Sequence, residues 1–168
     1  MTAVEALQAG LPVILPTDTV YGLCALPGSE GILYELKGRD RAKPIAFLAA
    51  DVDSLLDAVE GLDRELLERY LPGPVTLVLP SRAGGTVGVR VPELPAAAES
   101  VVRAVGVVYA TSANAAGGRD PRRVDDVPER IRAACGAIVD AGELPGVPST
   151  VLDLTGAEPR VLRPGPRR

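Results

Sequence analysis

The sequence contains no histidine and no tryptophan, and its 168 residues include only two cysteines and two lysines. Without histidine, Ser-His-Asp and Cys-His catalytic arrangements, a histidine general base and His-ligated zinc are all excluded. Cys24 and Cys135 form no CxxC pair, which favours two small buried side chains over a metal or redox site. Any chemistry must therefore depend on carboxylates, hydroxyls, backbone dipoles, lysine, arginine or a metal held by oxygen.

Basic residues are also fewer than acidic ones, 18 against 22, and the formal net charge is −4. This balance argues against bulk electrostatic binding to nucleic acid, although a local basic groove could still bind phosphates. The sequence has no apolar run of the roughly 18–20 residues that span a bilayer. Its N-terminus, "MTAVEALQAGLP", does not match a secretory signal. We expect one cytoplasmic domain with a sizeable core.

Short apolar runs alternate with helical patterns along the chain. Helices are predicted after Thr2, from Ser29 through Leu36, twice within residues 51–71, in "AAAESVVRAV" and near residues 128–135. Strands are predicted in "PVILP", "TVYGLCA", "IAFLA", "PVTLVLP", "TVGVRVP", "VVYA" and "AIVD", while "STVLDL" and "RVLRPG" flank a turn like a hairpin. We therefore expect an α/β protein of the α+β type, with helices packed on a twisted mixed parallel and antiparallel sheet.

The stretch "LKGRDRAKP" contains both lysines, and its four cations, Lys37, Arg39, Arg41 and Lys43, fall at every second position. In an extended segment these side chains would share one face. One interpretation is a solvated basic loop, and the other is a polyphosphate cradle in which lysine acts as a point charge and arginine as a fork. The sequence has no P-loop and no GxGxxG pattern, so a phosphate site would need another architecture.

Polar side chains follow buried strands in "LPTDTVYGL" and "YATSANAAGG". Such hydroxyls often satisfy turn backbone groups, but ligand loops also gather at strand ends, and small residues allow close approach to the backbone. Arg90 is a cation inside the apolar strand "VGVRVP", and a buried arginine needs an anion. The anion could be a carboxylate of the protein, in a structural salt bridge, or the carboxylate of a ligand.

Seven segments, taken together and in order, resemble the YrdC/TsaC family of threonylcarbamoyl-AMP synthases. They are "LPTDTVYGL", "LKGRDRAKPIAFLA", "LPGPVTLVLP", "VGVRVP", "ATSANAAGG", "STVLDL" and "LRPG". Each segment is weak alone, whereas seven in the right order are highly specific. The sequence departs from the family at Asp40, where proline is common, and at Thr111, which replaces the proline of a frequent Pro-Ser-Ala-Asn. The region between "VYGL" and "KGR" is also a few residues short.

The resemblance implies a YrdC-like fold with a concave positive cavity, as one domain over residues 1–165 with a frayed tail at 166–168. It implies the single-domain type, without the C-terminal domain and linker of two-domain members. The implied activity is that of a nucleotidyltransferase, which condenses L-threonine, bicarbonate or CO2, and ATP with Mg²⁺ into L-threonylcarbamoyladenylate and pyrophosphate. That product feeds N6-threonylcarbamoyladenosine formation at position 37 of tRNA, through the proteins of the threonylcarbamoyl-transfer complex.

The resemblance also assigns site residues in this sequence. A catalytic tetrad that also binds ATP falls on Lys37, Arg39, Ser112 and Asn114. Further ATP contacts fall on Thr86 and Arg163, and the threonine site falls on Thr17, Arg90 and Ser149. The metal ligands stay open, and so do the roles of Arg41 and Lys43, which we place at the pocket rim.

Two other functions compete with the synthase. One is a carbamoyltransferase of the HypF type, in which the same fold occurs as one domain of a large chain. The zinc-finger and acylphosphatase regions of those chains are absent from this sequence. The other is a non-catalytic module that binds tRNA or double-stranded RNA. The acidic pI of about 4.9 and the 3% aromatic content argue against a general RNA-binding surface.

Overall fold

The computed structural model describes residues 1–166, and within them nine strands form one sheet of order β7-β1-β2-β6-β3-β5-β4-β8-β9. The strands are β1 (Val13–Pro16), β2 (Tyr21–Ala25), β3 (Ala46–Ala49), β4 (Val75–Pro80), β5 (Thr86–Arg90), β6 (Val107–Ser112), β7 (Ala137–Ile138), β8 (Thr150–Asp153) and β9 (Arg160–Arg163). Pairs β1–β7, β3–β5 and β4–β8 are parallel, and the other neighbours are antiparallel. The predicted mixed sheet and the β8–β9 hairpin are confirmed.

Six α-helices lie within the same residues: α1 (Ala3–Gln8), α2 (Gly31–Lys37), α3 (Val52–Ala58), α4 (Arg64–Glu68), α5 (Ala96–Val105) and α6 (Glu129–Ala134), with a 3-10 turn at Val124–Asp126. Thr2 and Glu5 form the capping box of α1, and Asp63 caps α4 as predicted. Ser29 does not cap α2, because Glu30 occupies the N-cap position without a side-chain bond. No helix within residues 1–166 is long and apolar enough to cross a membrane.

Alternating side chains of the central strands pack into two helical layers. Leu48 and Val108 face α1 and α5, and we call this side of the sheet face A. Phe47 and Tyr109 lie on the opposite side, face B. Helices α2 and α6 cover one part of face B, and helices α3 and α4 cover the other.

Face A changes character along the strands. Beyond Leu48 and Val108 it continues with four very small residues on neighbouring strands, namely Gly22, Ala46, Gly88 and Ala110. We call these four residues the floor. A Cβ added to Gly88 would lie 3.2 Å from the Cβ of Ala46, so there is no room on the floor for a side chain at residue 88. Small residues on four adjacent strands leave a hollow over the sheet, and this hollow is the candidate site.

Residues 37–43 are not extended, so the expectation of one basic face is wrong. The apolar spacing of Leu33 and Leu36 continues α2 through Lys37, and Gly38 then ends the helix with φ 64°, as predicted for a terminator. Lys37 is buried, whereas Arg41 lies over the Tyr34 ring at 5.7 Å. The four cations therefore occupy different environments.

The residues after β9 stay close to the sheet as far as Pro166. The carbonyl of Pro166, the last described residue, accepts a hydrogen bond from the Thr150 hydroxyl at 3.5 Å. The other two residues of the predicted frayed tail, 167 and 168, lie outside the described residues.

A core substitution tests this layering. Leu48→Ala leaves a cavity between the sheet and helices α1 and α5, so we expect the free energy of unfolding to fall by about 2–5 kcal/mol. Leu162→Ala removes the same atoms from a half-exposed position on β9 and should change it by about 0.5 kcal/mol or less. Urea denaturation measures both values. Equal losses in the two variants would contradict the assignment of Leu48 to the core.

Candidate functional site

The hollow on face A continues into a second space beyond the strand ends. We call the first the inner compartment, with a volume of about 220 Å³, and the second the outer compartment, with about 430 Å³. Arg39, Ser112 and Arg163 line both. Every site residue assigned by resemblance lines one or the other: the inner compartment also holds Thr17, Thr86, Arg90 and Ser149, and the outer one holds Lys37 and Asn114.

The Lys37 ammonium connects the end of α2 to the loop after β6. Its Nζ donates to the Ser112 carbonyl at 2.7 Å, the Asn114 carbonyl at 3.0 Å and Asn114 Oδ1 at 2.6 Å. An ammonium has three protons, and these three shortest contacts can use all of them, with Ser112 Oγ farther away at 3.4 Å. Lys37 therefore builds the loop as well as placing a positive charge beside the outer compartment.

Asn114 is the hub of this loop. Its Oδ1 accepts from Lys37 and from Ser112 Oγ at 2.7 Å, while its Nδ2 donates to the Gly118 carbonyl at 2.9 Å and to Asp120 Oδ1 at 3.3 Å. All four hydrogen-bonding positions of the amide are occupied, so its orientation is fixed. The tetrad of the resemblance is thus one connected network apart from Arg39.

The pKa of Lys37 is lowered to about 8, mainly by burial and then by the positive charge of Arg39, while Asp120 acts in the opposite direction. The side chain is only 4% exposed. The hydrogen-bonding oxygens hold the ammonium in place, but they do not replace the water it has lost. A bound anion in the outer compartment would favour the charged form.

Two arginines stand at the junction of the compartments. Arg39 donates to the carbonyls of Lys43 and Pro44, each at 3.2 Å, and so closes the loop that follows α2. Arg163 donates through Nε and an NH2 to the Ser149 carbonyl at 3.1 and 2.8 Å. Lys43 lines the outer compartment, whereas Arg41 lies outside both compartments.

Arg90 has a structural salt bridge, which answers one question the sequence left open. Its guanidinium donates to Asp18 Oδ1 at 3.1 Å, and the two side chains are 11% and 13% exposed. Burial raises the pKa of Asp18, and the Arg90 charge opposes that change. Arg90 Nε is buried without a hydrogen-bond partner among residues 1–166. A guanidinium has five donors, so Arg90 keeps capacity for a second anion in the inner compartment.

Several hydroxyls of the inner compartment are hydrogen-bonded to one another or to the backbone. Thr17 Oγ1 donates to the Val20 carbonyl at 2.7 Å, which is the turn-satisfying role that the sequence also allowed. Ser149 Oγ lies 2.8 Å from Thr76 Oγ1. Thr19, one of the polar residues of "LPTDTVYGL", also lines this compartment, and sequence reasoning missed Thr76. The available signal for Thr76 was its position as the one polar residue within the apolar strand "VTLVL".

These features define an α/β protein whose mixed sheet carries an arginine- and hydroxyl-lined cavity beside a buried lysine. Residues 5–165 match the family model for Sua5, YciO and YrdC, whose description is telomere recombination. The chain therefore belongs to the Sua5/YciO/YrdC family.

Named relatives agree with this membership. A Mycobacterium tuberculosis protein named putative threonylcarbamoyl-AMP synthase is 36% identical over 99% of this chain and 83% of its own length. Pyrococcus abyssi Sua5, solved in complex with L-threonine, is 34% identical over 97% of this chain with a TM-score of 0.84. This chain spans about half of that protein, 53%. HypF, solved with phosphate and nucleotide, has a TM-score of 0.75 but only 15% identity, so it shares the fold alone.

The depressed pKa of Lys37 predicts a specific pH dependence of stability. Below pH 8 the lysine is charged in both folded and unfolded chains, so the folded state bears the full cost of burying the charge. That cost disappears as pH rises from about 8 toward 10.5, the ordinary pKa of a lysine side chain, and it amounts to on the order of 3 kcal/mol. The unfolding free energy of the wild type minus that of Lys37→Met should therefore increase over this range.

Lys43→Met provides the matched control, because it removes the same charge from an exposed lysine six residues away in the sequence. Guanidinium denaturation between pH 7 and pH 10 gives both differences. A wild-type advantage over Lys37→Met that stays constant with pH would contradict the assignment.

Proposed function

We propose that this chain forms L-threonylcarbamoyl-AMP and pyrophosphate from L-threonine, bicarbonate or CO2, and ATP, as a nucleotidyltransferase. The observation that carries the proposal is that two compartments meet at Arg39, Ser112 and Arg163. One compartment suits an amino acid and the other a polyphosphate. The names of its relatives, from Mycobacterium tuberculosis to Pyrococcus abyssi, support the same activity.

The inner compartment fits a small zwitterion. Arg90, which is fixed by Asp18, has spare N–H donors for a carboxylate, and guanidinium–carboxylate pairs are strong and directional. Hydroxyls of Thr17 and Ser149 line the same space, and the small floor residues leave room for a short branched side chain. The threonine complex of Pyrococcus abyssi Sua5 supports L-threonine as this ligand.

The outer compartment fits the triphosphate of ATP. Lys37, Arg39, Lys43 and Arg163 line it, and Asp40 and Asp120 are the two carboxylates among its lining residues. Lys37 ends α2, Arg39 and Lys43 lie in the loop that follows it, and Arg163 ends β9, so cations from two parts of the chain can surround a row of phosphates. Thr86, in the inner compartment, would contact the nucleotide from the sheet side.

Mg²⁺ would enter with ATP. Among residues 1–166 no group of three or more histidine, cysteine or acidic residues could hold a metal alone. Mg²⁺ needs less than that, because in nucleotide sites one or two carboxylates and the phosphates complete its shell. Asp120, which is hydrogen-bonded to Asn114, fits that role. When bound, the metal neutralises phosphate charge.

The chemistry needs no histidine base. The neutral threonine amine attacks CO2 and releases a proton to solvent, or attacks bicarbonate with loss of water, and either route gives a carbamate. A carbamate oxygen then attacks the α-phosphorus of ATP in line, and the bond to the β-phosphate oxygen breaks to release pyrophosphate. The arginines hold the reactants and stabilise phosphate charge, so catalysis rests mainly on positioning and electrostatics.

The product would serve N6-threonylcarbamoyladenosine formation at position 37 of tRNA, handed on to proteins of the transfer complex in the cytoplasm. Carbamoyl transfer of the HypF type is the second candidate, favoured by the shared fold. Binding of tRNA or double-stranded RNA without turnover is the third. Carbamoyl-phosphate-dependent turnover would favour the second candidate, and salt-sensitive RNA binding alone would favour the third.

One assay tests the proposal together with the arginine assignment. Protein with ATP, Mg²⁺, L-threonine and bicarbonate should release pyrophosphate only when threonine is present. Arg39→Ala should lower the rate about a hundredfold or more, because a fixed charge at the reacting phosphates is lost. Arg41→Ala is the matched control two residues away, and its rate should stay within about threefold of the wild type because Arg41 lies outside both compartments and makes only a weak exposed ion pair.

Threonine-independent pyrophosphate release by the wild type would contradict the proposed reaction. Equal rates for Arg39→Ala and the wild type would contradict the phosphate role of Arg39 while leaving the reaction intact. Circular dichroism of each variant checks that the fold is kept.

A further inference from the structure

Ser149 is the point at which hydrogen bonds join the two compartments. Its carbonyl accepts from Arg163 Nε and NH2, and its hydroxyl accepts from the same NH2 at 3.1 Å. The hydroxyl also lies 2.8 Å from Thr76 Oγ1, and Ser149 is only 4% exposed. A continuous chain therefore runs from Thr76 on β4, through Ser149, to Arg163 at the end of β9.

Thr76 is the rigid member of this chain. Strand β4 lies inside the sheet, paired with β5 on one side and with β8 on the other, so the Thr76 backbone is held from both sides. Its methyl carbon packs over the floor, 3.8 Å from the position of a Cβ added to Gly88. Ser149, by contrast, lies in the loop immediately before β8.

The proton arrangement gives Thr76 a defined effect on Ser149. Arg163 has no acceptor atoms, so the Ser149 hydroxyl oxygen must accept in that contact. Its second side-chain partner is Thr76, and either hydroxyl of that pair can donate. Without the Thr76 hydroxyl, only Arg163 would hold the Ser149 side chain. Its rotamer would then depend on an arginine that a polyphosphate also attracts.

We propose that Thr76 is a positioning residue and that the Thr76–Ser149–Arg163 chain couples binding of the amino acid to binding of the nucleotide. The inference rests on the proposed function, in which Ser149 meets threonine and Arg163 meets ATP. An amino acid on Ser149 holds the hydroxyl in the orientation that also receives Arg163. Arg163 is then set in place for the phosphates, and by linkage the nucleotide must raise the amino-acid affinity by the same factor.

Calorimetric titration tests the coupling without turnover. Threonine is titrated into the protein with Mg²⁺, with and without α,β-methylene-ATP, whose bridging carbon blocks the bond that would break. In the wild type we expect the analogue to raise threonine affinity about fivefold or more. Thr76→Val should bring this factor close to one, and Thr76→Ser, which keeps the hydroxyl, should restore it. A merely structural role would not give this pattern.

Thr150→Val is the matched control. It makes the same chemical change one residue from Ser149, at a hydroxyl that bonds to Pro166 and lines neither compartment. We expect it to keep the full coupling factor. Thermal unfolding checks each variant, and Thr76→Ala replaces Thr76→Val if the latter does not fold.

Three results would overturn the inference. One is wild-type protein that binds both ligands with no effect of either on the other. The second is full coupling in Thr76→Val. The third is a Thr76→Val variant that binds the ATP analogue normally and no longer binds threonine, because Thr76 would then be a direct ligand. Failure of the wild type to bind threonine or the analogue singly would instead count against the proposed function.

Discussion

The buried ammonium of Lys37 determines where the outer compartment lies. A charge that has lost its water needs oxygens around it, and Ser112 at the end of β6 and Asn114 in the loop after it supply them. Helix α2 is fixed in turn by Leu33 and Leu36 in the face-B core. The core therefore fixes the position of α2, and the Lys37 side chain fixes the position of the loop relative to α2. The other residues of the outer compartment lie around this loop.

The inner compartment depends on a different constraint, which is that the residues on this part of face A have very small side chains or none. Helices α1 and α5 pack on face A where Leu48 and Val108 project, and the cavity begins where the same face carries Gly22, Ala46 and Gly88. Arg39, Arg90 and Arg163 line the hollow, and each is fixed by an acceptor of the protein itself. Fixed donors need little reorganisation when a ligand arrives, which suits a reaction that depends on positioning.

Local sequence signals predicted most elements, because apolar periodicity, caps and turn glycines are properties of neighbouring residues. The alternation of cations misled the interpretation of residues 37–43, since the helical spacing of Leu33 and Leu36 continues through Lys37 and outweighs it. The site residues came from resemblance, whereas their contacts did not. Asp18 lies 72 residues from Arg90 in the sequence and meets it only through the sheet. No local pattern contains that pairing.

The central claim is the division of labour between the compartments, with the amino acid on the sheet floor and the phosphates at the lysine network. A crystal structure of the protein with L-threonine and α,β-methylene-ATP tests it most directly. The account predicts the threonine carboxylate on Arg90 in the inner compartment and the triphosphate among Lys37, Arg39 and Arg163 in the outer one. Phosphates seated on Arg90, or threonine beside Lys37, would contradict it.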